Sequence, residues 1–187
     1  LCEGATADWS AVHLTTDLGA TAAIAGLAYA AYACAMVVVR MLAARIFRRF
    51  APSKIIPPLA LVAAAGMTVG LVSGSLPVII AGFALLGVGL ATIVPTAFTA
   101  ASRLPGGKPG ASIAQVSALG WAGFVCGPPL IGHLSELTGL TLALGVVPLL
   151  AVVIAVMIRF GRLFPDAPIT ATPDGAPTAA DVVGAER

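Results

Sequence analysis

The chain has 187 residues, of which 59% are hydrophobic and 10% are charged, and its formal net charge is +2. A soluble globular domain carries about a quarter charged residues, so this composition excludes a water-soluble protein and indicates an integral membrane protein. The small net charge gives no reason to expect a nucleic-acid partner.

The first predicted element, Leu1 to Leu14, is too short to cross a bilayer alone, and we interpret it as the second half of a helix. A rotation of about 100° per residue places its polar residues on one arc of about 80°. Ionisable groups at membrane depth face a bundle interior or a water-filled cavity, because exposing them to lipid is costly. The residues on the arc are Glu3, Thr6, Ser10, His13 and Asp17.

This arc predicts a cavity wall in which Glu3, and with it His13, binds and releases a proton. The alternative for both residues is a structural hydrogen-bond seam or an interfacial helix end. Asp8 lies on the opposite side of the helix, where we expect it to cap or tie a neighbouring helix. Trp9 is either an interfacial anchor or a stacking surface.

Five complete transmembrane spans follow. The clearest evidence is Ile55 to Ser102, which contains no Asp, Glu, Lys, Arg or His and is interrupted at Ser73 to Pro77. A hydrocarbon core about 30 Å thick takes roughly 20 helical residues, so this stretch is long enough to cross twice. After the partial span at about 1–14, the complete spans are predicted at 18–39, 56–73, 77–102, 109–132 and 138–159.

Stripes of polar side chains mark three of these spans. In the second span of the bundle the stripe ends at a basic loop. In the fourth, Pro95 lacks a backbone N–H and is expected to bend the helix, and the fifth is predicted to break at Gly127 to Pro129. The stripe residues are Tyr29, Tyr32, Met36 and Arg40 in the second span, Thr92, Thr96, Thr99 and Arg103 in the fourth, and Ser112, Gln115, Ser117 and Trp121 in the fifth.

The third and last spans, Leu59 to Val72 and Leu142 to Ile158, hold almost nothing polar. Helices that line an aqueous path need a polar face, whereas peripheral helices need only apolar side chains. We therefore expect spans one, two, four and five to line a cavity, with ordinary packing through Ser and Thr as the alternative. Close helix contacts are predicted at glycines four residues apart, namely Gly66, Gly70 and Gly74, and Gly123 and Gly127.

The basic residues predict the orientation, because short loops rich in Lys and Arg stay in the cytoplasm. Every second connection carries them, and the connections between carry none, so the C-terminus is expected to be cytoplasmic. The polar segment 165–187 has no helical apolar stripe and is predicted to be a disordered tail. The basic residues concerned are Arg40, Arg45, Arg48, Arg49 and Lys54; Arg103 and Lys108; and Arg159 and Arg162.

No motif predicts an enzyme, a metal site or a cofactor. The 3 cysteines lack the paired spacing of a zinc or redox motif. Ser112 and His133 lie at opposite ends of one span, about 30 Å apart at 1.5 Å per residue, so direct proton transfer between them is excluded.

Three motifs are similar to those of the major facilitator superfamily. The segment Glu3 to Ala11 matches the form E-G-A-x-x-D-W-S-A of the seventh span in bacterial members. Gly87 to Ala91, leading to Val94 and Pro95, resembles the tenth span, and Gly127 to Gly132 with Thr138 and Gly139 resembles the eleventh. The resemblance covers Leu1 to about Arg162 and implies the C-terminal half of an all-α, polytopic transporter bundle.

The segment Val39 to Arg45 departs from the family loop G-R-x-x-G-D-R, because both glycines and the aspartate are replaced. The resemblance implies proton-coupled transport of a small-molecule substrate by alternating access in the cell membrane. Glu3 would then be the protonatable group, and Tyr29, Tyr32, Gln115 and Trp121 would shape the site. The implied partners are the lipid bilayer and an N-terminal six-helix half of the same protein. The alternative is a non-transporting membrane remnant or assembly module.

Overall fold

A computed structural model of the protein describes residues 1–103, 108–161 and 164. In this part of the chain all regular elements are helices, as expected of an all-α bundle. The predicted tail at 165–187 and Arg162 lie outside the described residues. The helices are α1 (Cys2–Thr16), α2 (Ala22–Arg49), α3 (Pro52–Ser73), α4 (Leu76–Leu90), α5 (Ile93–Ser102), α6 (Pro109–Thr138), α7 (Leu140–Leu144) and α8 (Val146–Gly161).

These helices form five segments that are long and apolar enough to cross a membrane, after the shorter helix α1. The chain therefore has the architecture of a multi-pass membrane protein, with five helical segments of spanning length and the shorter helix α1. The segments are Ala22–Arg49, Pro52–Ser73, Leu76–Ser102, Pro109–Thr138 and Leu140–Gly161.

Glycines bring α3 and α4 into backbone contact. A Cβ on Gly82 would overlap the carbonyl oxygen of Gly66, and one on Gly70 would overlap Ile79. The predicted packing role of Gly66 and Gly70 is therefore confirmed. Gly74 differs, because it ends α3 in the left-handed region at φ 61° and has no atom within 4 Å of its Cβ position. Gly74 is a turn residue, since glycine enters that region without a steric penalty.

Where the sequence predicts a bend at Pro95, the structure has a break between two helices. Helix α4 ends at Leu90, and α5 begins at Ile93. Proline has no N–H to donate to the carbonyl four residues earlier, and its ring clashes with that carbonyl, so the interruption falls one turn before Pro95. The carbonyl concerned is that of Ala91, which instead accepts a 3.0 Å hydrogen bond from Arg40 Nε.

The break predicted at Gly127 to Pro129 is wrong, because α6 continues through Pro128 and Pro129 to Thr138. Helix α1 packs directly on this part of α6, and Trp9 Nε1 donates a 3.2 Å hydrogen bond to the Pro128 carbonyl. This contact holds α1 against α6 at the prolines, and membrane helices commonly tolerate proline where neighbouring helices pack on them. Trp9 thus contacts a neighbouring helix, which is neither of the two roles considered from the sequence.

An apolar cluster holds the ends of several helices together at one end of the bundle. Phe47 at the end of α2, Ile56 at the start of α3 and Ile158 near the end of α8 lie in one buried cluster, with Ala100 of α5 against it. The basic residues therefore gather at the same end of the bundle. The prediction that Arg40, Arg45, Arg48 and Arg49 form a loop is wrong, because α2 continues past the predicted span end at 39 to Arg49. The basic residues within the described part are Arg40, Arg45, Arg48, Arg49, Lys54, Arg103, Lys108 and Arg159, all of them exposed.

Helices α3 and α8 pack against each other, while α1 contacts α2 and α6, and α5 contacts α6. Helix α6 is the least covered, because only Gly127 and Ile131 are buried among its residues. Large apolar side chains such as Leu119 and Val125 consequently lie exposed on α6, at 75% and 64% of their maximum.

Candidate functional site

A groove of about 430 Å³ lies between α1, α5 and α6. Glu3, in the first turn of α1, contributes the one ionisable side chain among its lining residues. Every other lining group is apolar or neutral. The lining consists of Glu3 from α1, of Ile93, Val94, Ala97 and Phe98 from α5, and of Val116, Ser117, Gly120, Trp121 and Phe124 from α6.

One face of α6 forms an aromatic wall of this groove. Trp121 and Phe124 meet edge to face, with ring centroids 5.9 Å apart. Ser117 and Gly120 lie one turn earlier on the same face, at the spacing of three and four residues that helical geometry requires. Of these four, the site prediction named Trp121 alone. Ser117 was already part of the predicted polar stripe, and applying the helical period to Trp121 would have found Gly120 and Phe124. Nothing local in the sequence singles out Phe98.

The polar arc predicted on α1 is divided between the groove and the bundle interior. Glu3 is exposed at the groove, but Thr6 and Ser10 are fully buried and His13 is 2% exposed. Thr6 Oγ1 donates to the Cys2 carbonyl at 2.8 Å, a bond inside the helix itself. Within the described part of the chain, Ser10 Oγ has no hydrogen-bond partner. The structure thus brings Glu3, but not Thr6, Ser10 or His13, to the groove.

The two predicted tyrosines form a stacked pair on α2. Their ring centroids are 6.0 Å apart. Tyr29 is 42% exposed, whereas Tyr32 is 1% exposed, and its hydroxyl has no hydrogen-bond partner among the described residues. Gln115 is exposed on α6 outside the groove lining. Asp8 is exposed on α1 and caps no helix in the described part of the chain.

A polar cluster at the end of α1 ties it to the start of α7. Asp17 Oδ2 lies 3.1 Å from His13 Nδ1 and accepts a 2.9 Å hydrogen bond from Thr141 Oγ1, while Thr16 Oγ1 donates to Asp17 Oδ1 at 2.8 Å. Partial desolvation raises the pKa of the Asp17 carboxyl, but the hydrogen bonds from Thr16 and Thr141 and the nearby His13 outweigh it, so the pKa is lowered.

A second, smaller cavity of about 220 Å³ lies between α2 and α5. It joins the polar stripes predicted on the second and fourth spans, since Arg40 and three threonines line it together. The basic residues Arg45, Arg48 and Arg49 do not line it. The lining residues are Arg40, Ala43, Ala44, Phe47, Thr92, Pro95, Thr96 and Thr99.

The described residues contain no group of three or more His, Cys, Asp or Glu side chains placed to hold a metal ion. The chemistry of the groove is therefore that of one carboxyl group beside an aromatic wall. Such a group can exchange a proton and accept hydrogen bonds.

Comparison with known proteins finds one family and several relatives. The profile of the Major Facilitator Superfamily matches residues 6–184. The chain is 35% identical over 159 residues to an uncharacterized MFS-type transporter of Yersinia pestis. The aligned region covers 85% of the chain and 41% of that transporter. It is 33% identical over 160 residues to an uncharacterized transporter of Sinorhizobium fredii. That alignment covers 84% of the chain and 42% of the relative.

A third relative, the membrane protein MosC of Rhizobium meliloti, is 33% identical over 153 residues, which cover 82% of the chain and 38% of MosC. The chain thus spans about two fifths of the length of the curated relatives that it matches. No solved structure matches the chain.

Proposed function

The chain belongs to the Major Facilitator Superfamily, and we propose that the protein transports a small solute across the cell membrane by alternating access, coupled to protons. The observation that carries the proposal is Glu3, the one ionisable side chain lining a groove between three helices of a multi-pass membrane protein. Ionisable residues at membrane depth commonly mark ion pathways and proton relays.

The apolar surroundings of Glu3 supply a coupling mechanism. When the groove is open to water, an ionised carboxylate is hydrated. When the groove closes against Phe98, Trp121 and Phe124, the charge loses that hydration, whereas a protonated carboxyl costs much less to bury. Closing would therefore favour the protonated form, and reopening on the other side would release the proton.

The groove also restricts the solute. Its volume of about 430 Å³ falls within the range of about 300 to 1,000 Å³ that small-molecule sites occupy. Trp121 and Phe124 offer flat apolar surface, and Ser117 and Glu3 offer the hydrogen-bonding groups. We propose a small solute with an apolar face, with Tyr29 and Gln115 contributing from the exposed surfaces of α2 and α6 and Tyr32 supporting the Tyr29 ring.

The basic end of the bundle and the exposed faces of α2 and α6 support a proposal for the orientation of the protein in the membrane and for its partners. The basic end of the bundle is proposed to lie in the cytoplasm, which places the C-terminus there as well. The exposed faces of α2 and α6 are proposed to meet an N-terminal six-helix half of the same protein, which would complete the groove, and lipid would cover α3 and α8.

A reconstituted transport assay tests this function. The intact protein is placed in liposomes, a thermal-shift screen supplies a solute that binds, and accumulation is measured with and without an imposed pH gradient. We expect Glu3→Gln to reduce gradient-driven accumulation at least tenfold while solute exchange without a gradient persists. Asp8→Asn, an exposed carboxyl on the same helix, is the control and keeps both activities. Gradient-driven accumulation equal to wild type in Glu3→Gln removes Glu3 from coupling, and no flux of any bound solute contradicts transport.

A further inference from the structure

The smaller cavity, between α2 and α5, has a cationic wall that the proposed transport cycle does not use. Arg40 is exposed, and its Nε donates a 3.0 Å hydrogen bond to the Ala91 carbonyl. The two terminal nitrogens of the Arg40 guanidinium remain as donors in a planar fork, the geometry that suits two oxygens of one carboxylate or phosphate. None of the residues lining this cavity lines the groove that contains Glu3.

A buried hydroxyl lies beside this cationic wall. Thr92 is 3% exposed, and its Oγ1 has no hydrogen-bond partner among the described residues, although it lines the cavity. Thr92 is also the N-cap residue of α5, yet its side chain makes no capping bond. A buried polar atom without a partner is costly, so a hydroxyl left in this state indicates a group that comes from outside the described chain.

The charges around the cavity favour an anion. The cavity lining contains no acidic residue, and both ion pairs recorded in the described part of the chain are made by histidines, His13 with Asp17 and His133 with Glu136. The positive charge of Arg40 is therefore not neutralised within this part of the structure. Helix α5 begins at Ile93, and the positive end of its dipole also favours an anion here.

We propose that this cavity binds an oxyanion, a phosphate or carboxylate group held by the Arg40 fork and by the hydroxyl of Thr92. The cavity volume of about 220 Å³ is half that of the groove and suits the anionic group of a ligand rather than a whole large solute. Thr96, which is 3% exposed, lines the same cavity one turn along α5. The site is separate from the proposed proton-coupling site, and its test requires no transport activity.

The test is thermal unfolding of the intact protein in detergent, with inorganic phosphate compared with chloride at equal ionic strength. Phosphate is expected to raise the melting temperature of the wild type by several degrees. Thr92→Val removes one hydrogen bond to a charged ligand and should weaken phosphate binding about tenfold or more. Without phosphate this variant should be as stable as the wild type, because the hydroxyl has no partner to lose within the described residues.

Matched variants separate the site from general charge effects. Arg40→Gln should abolish the phosphate response. Arg45→Gln removes a positive charge from the same end of α2 without touching the cavity, and Thr68→Val changes a threonine on α3 that bonds only within its own helix in the described structure. Both control variants should respond to phosphate as the wild type does.

A second arm identifies the source of the oxyanion. If phosphate has no effect in detergent, the wild type and Thr92→Val are compared in nanodiscs of phosphatidylglycerol. Stabilisation of the wild type but not of Thr92→Val supports the proposal with a lipid headgroup as the ligand. An equal response of wild type and Thr92→Val to both probes, or no response to either, overturns it.

Discussion

Arg40 on α2 replaces the hydrogen-bond donor that Pro95 withholds from Ala91. Its Nε lies 3.0 Å from the Ala91 carbonyl oxygen, at the break between α4 and α5. The interaction joins two spans that carry the polar stripes of the sequence. It also explains how the carbonyl freed by Pro95 finds a donor within the protein.

The contact predicts a coupled pair of substitutions. Arg40→Gln should destabilise the protein by about 2 kcal/mol, because the Ala91 carbonyl loses a charged donor. In a Pro95→Ala background the backbone N–H at position 95 is available to that carbonyl, so the cost of Arg40→Gln should fall by about 1 kcal/mol. Thermal unfolding of the four proteins in detergent measures this coupling.

Arg45→Gln serves as the control for the loss of a positive charge on α2, and it should change stability by less than about 0.5 kcal/mol in either background. Additive effects of Arg40→Gln and Pro95→Ala would show that the hydrogen bond contributes nothing to the join between α2 and α5.

The close approach of α2 and α4 gives a second prediction. A Cβ on Gly87 would overlap the carbonyl of Tyr32, whereas one on Gly26 meets no atom within 4 Å. Gly87→Ala should therefore destabilise by about 2 kcal/mol through overpacking against backbone. Gly26→Ala should be neutral or stabilising by up to about 1 kcal/mol, because alanine favours the helix. Equal melting temperatures of the two variants would contradict this packing.

The cluster around Asp17 gives a pH-dependent prediction. The pKa of the Asp17 carboxyl is lowered in the folded protein, so the ionised form stabilises the fold. This contribution is fully present above the unfolded-state pKa, about 3.9, and is lost as pH falls through the lower folded-state value. Asp17→Asn should reduce stability by less than about 1 kcal/mol at neutral pH, because Asp17 is exposed and solvent screens its interactions, and the loss should shrink as the solution is acidified.

Thr141→Val removes one of the hydrogen bonds to Asp17 and should produce a smaller loss with the same pH trend. Thermal unfolding of both variants across an acidic pH series, with Thr138→Val as a control that does not contact Asp17 in the described structure, provides the measurement. A stability difference that stays constant as pH falls would show that the Asp17 charge is not involved.

Sequence patterns predicted the membrane architecture because each relevant signal is local. The spans follow from charge-free length, the interruption near Pro95 from a missing backbone donor, and the contacts at Gly66 and Gly70 from their spacing. Each of these depends on residues within one helix or one helical hairpin.

The functional residues were harder to predict because their surroundings come from distant parts of the chain. Helical periodicity placed Glu3, Ser10 and His13 on one arc, but it does not tell which part of that arc the other helices cover. Asp17 meets Thr141 across 124 residues, and no local pattern joins them. The contact of Trp9 with the Pro128 carbonyl likewise joins residues 119 positions apart in the chain.

The central claim is that the Glu3 carboxyl takes up and releases a proton in the groove between α1, α5 and α6. Infrared difference spectroscopy of the intact protein, recorded between alkaline and mildly acidic pH, observes this carboxyl directly. We predict a protonated-carboxyl band on acidification that is absent from Glu3→Gln and retained in Asp8→Asn. The same band in Glu3→Gln as in the wild type would contradict the account.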